Sequence, residues 1–221
     1  MKSSSIRVST FERVPAFAYG LVRDLRVRWA LEEAGIAYAE WLVGTEERKS
    51  QTYRRVQPFG QVPTYQDEGL ELFESGAIVL HVAERCEALM PADAKGRART
   101  QMWMFAALNT MELPIQNLFT LDIAHAEEEW AKARRPALVD EVKLRLTSLS
   151  DWLSGRSYLE DRFTAGDLLM TTVLRFLRHT DLLAQMPVIE SYRLRCEARP
   201  AFQRAVAAQM AVYERNADRA A

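Results

Sequence analysis

The chain has little cysteine and no long apolar segment. Its 221 residues include two cysteines, Cys86 and Cys196, which lie far apart, so neither a disulfide framework nor a cysteine zinc site is expected. Lys and Arg number 29 against 30 Asp and Glu, without the basic excess typical of nucleic-acid-binding domains. No window approaches the roughly 18 apolar residues of a membrane helix, and no secretory signal is visible. These absences predict a cytoplasmic globular protein that binds neither nucleic acid nor membrane.

Several catalytic motifs are missing as well. The sequence has no GxGxxG, P-loop, GxSxG or HExxH motif. Its three histidines, His81, His125 and His179, are widely separated, so no metal site is expected. Hydride transfer on a dinucleotide, P-loop phosphoryl transfer, triad hydrolysis and metal catalysis are therefore disfavoured.

The first part of the chain alternates between strand and helix patterns. Strands are predicted over residues 6–11, 38–43, 62–66 and 70–73. Helices are predicted from Leu21 to Ala34 and over Ser75–Glu87, with a helical or irregular segment at 45–56. Gly35 fits the left-handed position that ends a helix. This alternation predicts an α/β domain over residues 1–88.

The rest of the chain has only helical patterns. After a linker at 89–93, helices are predicted over residues 94–122, 136–153, 164–179 and 187–215, the last with a break at Arg199–Pro200. Thr164 and Asp167 predict a capping box, a folding feature and not a site. The sequence therefore predicts a second, all-α domain over residues 94–221.

Two neighbouring motifs carry the functional signal. Pro58-Phe59-Gly60-Gln61-Val62-Pro63 is followed by Leu72-Phe73-Glu74-Ser75-Gly76-Ala77-Ile78. With Arg26–Gly35 and Phe163–Asp167, these segments resemble the bacterial-type cytosolic glutathione transferases in order, spacing and length. The resemblance implies an N-terminal thioredoxin-like βαβαββα domain followed by an all-helical domain. It also implies glutathione as co-substrate, no metal, and a homodimer.

The resemblance further implies a set of glutathione-binding residues. A Val62–Pro63 bond can be cis because proline weakens the trans preference to ~0.5–1 kcal/mol, and in the family it is cis. The Val62 backbone would then pair with the cysteinyl unit as an added strand. Ser75, a predicted N-cap, would hold the γ-glutamyl carboxylate, with Glu74 near the ammonium group and Gln61 contacting the tripeptide. On its own, the first motif also fits a proline-marked strand edge.

The position of the catalytic residue departs from the family pattern. Relatives place Tyr, Ser or Cys between the first strand and the first helix, and the serine or cysteine position falls within Leu21–Arg23, which has no hydroxyl or thiol. One candidate to activate the thiol is Tyr19, through its hydroxyl. The thiolate could also be stabilised by Arg23 or by the free N–H groups of the helix start. In the alternative, Tyr19 only packs over the pocket. Ser9 and Thr10 are weaker candidates.

An apolar co-substrate is expected against the long helix that begins at Ala94. Its large apolar residues include Trp103, Phe105, Leu108 and Phe119, although this spacing also fits a helix core. The predicted activity is addition of the glutathione thiolate to an apolar electrophile. Two alternatives stay open: other glutathione-dependent chemistry (thiolysis, lyase or isomerase reactions), and a non-catalytic binding or regulatory protein of the same fold.

Overall fold

The computed structural model describes residues 6–217, and the outer ends of both predicted domains lie outside this range. The described residues of Met1–Leu89 and Arg199–Ala221 form one compact unit, and Met90–Ala198 forms another. Among the helices of residues 6–217, none is long and apolar enough to cross a bilayer.

The first unit is built on a mixed sheet. Within the described residues its strands are β1 (Arg7–Phe11), β2 (Ala39–Val43), β3 (Thr64–Asp67) and β4 (Leu70–Phe73). Their order is β2-β1-β3-β4, with β2 parallel to β1, and with β3 antiparallel to both β1 and β4. The helices between them are α1 (Asp24–Ala34), α2 (Gln51–Val56) and α3 (Ser75–Ala83). This order confirms the predicted thioredoxin-like βαβαββα fold.

Helix α1 fills the interior of this unit. Eight consecutive residues from Asp24 to Leu31 are buried, and Val27 and Trp29 have no exposed surface. The helix ends at Gly35, whose φ of 66° is the left-handed conformation predicted there. Because α1 is covered on all sides, its polar residues must find partners inside the protein.

The last helix, α9 (Pro200–Ala217), also belongs to the first unit. Phe202 packs edge-on against Trp29 with ring centroids 4.7 Å apart. Arg199 donates two hydrogen bonds to Glu33, at 2.6 and 2.8 Å. This division differs from the predicted one, which placed α9 in the helical domain, because the apolar and charged partners of α9 lie on α1.

The second unit is helical. Its helices among the described residues are α4 (Ala94–Phe105), α5 (Glu112–Ala124), α6 (Glu129–Leu153), α7 (Ala165–Leu174) and α8 (Pro187–Glu197). The single helix predicted over 94–122 is interrupted by a π-helical segment at Ala106–Met111. Helix α6 begins before Pro136, its predicted start, because the fully buried Ala131 anchors the turns ahead of the proline.

The capping box predicted for α7 is present. Thr164 N–H donates to Asp167 Oδ2 at 2.9 Å, and Thr164 Oγ1 accepts from the Gly166 N–H at 3.2 Å. Asp167 Oδ1 also accepts from the Tyr192 hydroxyl at 3.0 Å. Burial raises the pKa of Asp167 to about 6, although these hydrogen bonds oppose the increase. The motif therefore has a folding role, as the sequence predicts.

Candidate functional site

Buried hydrogen bonds fix the loop that precedes β3. Ser9 Oγ accepts from the Thr64 N–H at 2.7 Å and lies 3.0 Å from Tyr53 Oη. The Tyr53 hydroxyl donates to the Gln61 carbonyl at 2.6 Å. The Val62–Pro63 bond that follows is cis, as predicted. Ser9 is fully buried and occupied in this network, so it supports the loop and is not a thiol-activating hydroxyl.

The loop places Val62 beside the start of α1. Val62 forms an apolar cluster with Val43 and Tyr53, and Val22 packs against that cluster. Within the described part of the chain, no hydrogen bond occupies the N–H or C=O of Val62. The Val62 backbone can therefore accept an extended peptide as an added strand.

The start of α3 corrects one prediction. Ser75 is the first residue of the helix and not its N-cap; Glu74 is the N-cap, because its carbonyl accepts from the Ile78 N–H at 3.0 Å. The Ser75 hydroxyl instead accepts a hydrogen bond from Arg26 of α1, with Nη1 and Oγ 3.2 Å apart. Arg26 is only 2% exposed. A helix N-terminus and a buried guanidinium thus meet at Ser75, which favours an anion there.

Sequence reasoning did not single out Arg26 as a site residue. No local pattern marked it, because α1 carries four other charged residues, and a buried charge is recognised only by its distant partner. Glu74 is unusual in another way: its φ of 68° and ψ of 112° are rare for a residue with a side chain. Strained backbone of this kind clusters at functional sites.

Both predicted catalytic residues lie in the segment that leads into α1. The Leu25 N–H donates to the Val22 carbonyl at 3.0 Å, and the next N–H donates to the Arg23 carbonyl at 3.2 Å. These two N–H groups are engaged and are not the thiolate donors considered from the sequence. Arg23 directly precedes α1 and is half-buried. Tyr19 is half-buried and stacks on Tyr213, with ring centroids 5.3 Å apart.

A buried ion pair lies inside the same helix. Arg28 Nε donates to Asp24 Oδ2 at 2.8 Å, and both side chains are fully buried. Burial raises the pKa of Asp24, with Arg28 opposing the shift. Thr10, the other weak catalytic candidate, is also fully buried, in β1. The pair neutralises the acid at the first position of α1.

A pocket of about 410 Å³ opens where the parallel strands β1 and β2 end. Its walls include Glu12, Arg13 and Arg48, and it reaches Phe11, which packs against the cluster of Val62. The two arginines give the region next to the loop a positive character suited to a carboxylate. This pocket was not predicted from the sequence, although Arg13 and Arg48 follow the two parallel strands, where ligands commonly bind.

The four residues predicted for the co-substrate have different surroundings in the helical unit. Trp103 Nε1 donates to Glu160 at 2.7 Å, and Phe119 is buried among aromatic side chains of its own unit. Phe105 is 62% exposed, and Leu108 is half-buried in the π-helical segment. Trp103 and Phe119 therefore serve packing, while Phe105 and Leu108 present apolar surface.

These features define a class of protein. A thioredoxin-like domain carries a corner where a cis-proline loop, the start of α1 and the start of α3 meet. Residues 6–217 contain no cluster of His, Cys, Asp and Glu that could hold a metal ion. The polar groups of the corner are the Val62 backbone, the Ser75 hydroxyl, the Arg26 guanidinium and the exposed Glu74 carboxylate. Such a corner suits a small peptide with carboxylate groups.

Comparison with known proteins identifies the family. The family model "Glutathione S-transferase, N-terminal domain" matches residues 11–84. Glutathione S-transferase F14 of Arabidopsis thaliana is 30% identical over 194 residues, which are 77% of this chain and 72% of that protein. The chain belongs to the glutathione S-transferase family, which confirms the resemblance found in the sequence.

Solved structures agree with this assignment. The theta class glutathione S-transferase of Xanthomonas axonopodis pv. citri, solved with glutathione bound, has a TM-score of 0.76 and 27% identity over 92% of this chain and 97% of its own. A glutathione transferase of Burkholderia graminis, with two glutathione molecules per subunit, has a TM-score of 0.78 and 25% identity over 92% of this chain and 88% of its own. The fold class predicted from the sequence is thereby confirmed.

Proposed function

We propose that this protein is a glutathione transferase that binds glutathione at the corner of its first unit and adds the thiolate to an apolar electrophile. One observation carries the proposal: Val22, two residues before α1, packs against the Val62 cluster, and Arg26, in the first turn of α1, donates to Ser75. The peptide-pairing loop and the anion-binding helix start are therefore neighbours. The relatives solved with glutathione support the choice of ligand.

Each part of the tripeptide has a complementary group. The cysteinyl unit pairs with the Val62 backbone. The γ-glutamyl carboxylate binds at Ser75, whose hydroxyl is hydrogen-bonded to Arg26. The exposed Glu74 is placed for the ammonium group, and Arg48 for the second carboxylate. The proposed glutathione-binding residues are Gln61, Val62, Pro63, Glu74 and Ser75, and we add Arg26 and Arg48 to this proposal.

The chemical step requires activation of the glutathione thiol, whose pKa of about 8.5 leaves only a few per cent thiolate at neutral pH. The thiol releases its proton to water, and the sulfur electron pair forms a bond to carbon. In a substitution the leaving group departs with its bonding pair; in an addition the double bond opens and its other end takes up a proton from water. Tyr19 and Arg23 are the proposed activating residues. Cys86 and Cys196 form no disulfide bond, which agrees with the reducing cytoplasm as the proposed location.

The electrophile and the assembly are further parts of the proposal. Phe105 and Leu108 supply accessible apolar surface for a hydrophobic electrophile. A homodimer would cover Phe59 and Phe73, which are 63% and 37% exposed and pack edge-on 6.1 Å apart. Light scattering tests the dimer: Phe59→Ser is expected to favour monomers, and an unchanged mass would oppose a contact at this pair.

Calorimetric titration with glutathione tests the site. Ser75→Ala should weaken binding about threefold to tenfold, because a hydroxyl in a buried hydrogen bond contributes about 0.5–1.5 kcal/mol. Ser148→Ala, which changes an exposed serine of α6, should leave affinity unchanged. Absence of binding by the wild-type protein, or equal affinity in Ser75→Ala and wild type, would refute the glutathione site.

Conjugation to an activated aryl chloride tests the chemistry. Tyr19→Phe or Arg23→Met should lower the turnover rate while glutathione still binds. Tight binding without any conjugation or thiol activation in the wild-type protein would favour the non-catalytic alternative.

A further inference from the structure

We propose that Gln209 and Tyr213 of α9 are positioning residues that hold the thiol-activating segment, residues 19–24, in place. The inference rests on the proposed function, because it concerns the same site. Both residues lie outside the thioredoxin-like part of the chain. They reach the segment because α9 packs along α1.

Gln209 contacts both sides of Arg23. Its Nε2 donates to the Val22 carbonyl at 3.2 Å and to Asp24 Oδ1 at 2.7 Å, and its side chain is fully buried. One amide thus fixes the residue before Arg23 and the residue after it. A buried amide held by two acceptors cannot shift without leaving polar groups unsatisfied. The backbone that directs Arg23 is therefore fixed from α9.

Tyr213 holds the other candidate residue. It follows Gln209 by four positions, so both side chains project from the same face of α9. Tyr213 is 3% exposed, and its ring is stacked on Tyr19 at 5.3 Å with an interplanar angle of 14°. The stack keeps the ring of Tyr19 nearly parallel to that of Tyr213, which limits the directions in which its hydroxyl can point.

The contact with Asp24 has an electrostatic consequence. A carboxylate near a thiolate raises the thiol pKa, because like charges disfavour each other. Asp24 is the first residue of α1, and Gln209 and Arg28 together bind its two oxygens. They hold this charge in the interior, where Arg28 compensates it. Loss of Gln209 would free one oxygen of the only acid in the first turn of α1.

The effect of losing α9 packing in general can be measured separately, because another residue of α9 also packs this helix against α1. Phe202 packs against Trp29, in the middle of α1 and outside residues 19–24. Phe202→Leu weakens the attachment of α9 without touching the segment. Gln209→Met and Tyr213→Leu weaken the attachment and remove a segment contact. Tyr213→Phe keeps the stacked ring and serves as the conservative variant.

The test measures the pKa of the bound glutathione thiol, from thiolate absorbance, together with kcat, KM and the unfolding midpoint of each variant. Gln209→Met and Tyr213→Leu should each raise that pKa by about one unit and lower kcat about tenfold, with little change in KM for glutathione. Phe202→Leu should lower the unfolding midpoint and leave pKa and kcat unchanged. Tyr213→Phe should behave as wild type.

The positioning role would be overturned if the unfolding midpoint fell equally in all variants and the thiol pKa shifted in none of them. Amide hydrogen exchange of residues 19–24 without glutathione gives a second readout: it should accelerate in Gln209→Met and Tyr213→Leu and not in Phe202→Leu. If exchange responds this way but the wild-type protein does not lower the thiol pKa, the proposed function fails while α9 is still shown to fix the segment. Unchanged exchange refutes the inference even if the protein is a transferase.

Discussion

Glu74 is held in a backbone conformation that strongly favours glycine, directly before a helix whose start is proposed to bind glutathione. Its φ is 68° and its ψ is 112°. A residue in such a sparsely populated region of φ and ψ lowers the free energy of unfolding by about 1–3 kcal/mol. Glycine removes this strain but loses about 0.5–1 kcal/mol through its greater freedom in the unfolded chain. Glu74→Gly is therefore expected to stabilise the protein by about 1 kcal/mol, or about 2–4 °C in Tm for a chain of this size.

The same substitution should weaken glutathione binding. The Glu74 side chain is exposed, so its proposed contact with the ammonium group contributes at most about 1 kcal/mol, or about fivefold in Kd. Glu74→Ala is the matched control, because it removes the carboxylate and keeps the strain. Thermal unfolding should rank Glu74→Gly above Glu74→Ala and wild type. Calorimetry should give both variants the same weakened affinity. A glycine variant less stable than the alanine variant would refute the strain, and unchanged affinity in both would refute the ammonium contact.

Three further predictions concern other contacts. Tyr53→Phe removes the donor to the Gln61 carbonyl and should lower the free energy of unfolding by about 1–3 kcal/mol. Denaturant titration measures this change, and an unchanged value would mean that the hydrogen-bond network does not hold the loop. Arg26→Met should weaken glutathione binding about tenfold or more, because hydrogen bonds to charged groups contribute about 1.5–3 kcal/mol, whereas equal calorimetric affinities would remove Arg26 from the site. The hydrogen bond from Arg99 lowers the pKa of Glu160, so the stability from this pair is present above the ordinary glutamate pKa and is lost as pH falls through the lowered value. Glu160→Gln should flatten this acid-side loss in unfolding scans, and an identical pH profile would contradict the assignment.

Local signals predicted much of the fold. Alternating β-branched residues, the glycine after α1 and the pair Thr164 and Asp167 act over a few residues, and the structure contains the corresponding strands, helix end and capping box. Such features depend on neighbouring backbone groups, so a single sequence contains them. The cis bond at Val62–Pro63 is different, because its prediction depended on the resemblance to a family in which that bond is cis.

The contacts that shape the site act over long distances in the sequence. Arg26 reaches Ser75, which displaced the predicted capping role of that hydroxyl. Gln209 reaches Val22 from the last helix, which the sequence assigned to a different domain. No local pattern distinguishes a buried arginine with a distant partner from one at the surface. These contacts follow from packing and could not be read from periodicity.

The most direct test of the account is the pH titration of the bound glutathione thiol. Thiolate absorbance of glutathione in the presence of the wild-type protein should titrate clearly below the pKa of about 8.5 of a free thiol, and Tyr19→Phe or Arg23→Met should move the curve back toward that value. A bound thiol that titrates as it does in free solution would contradict the claim that this corner activates glutathione.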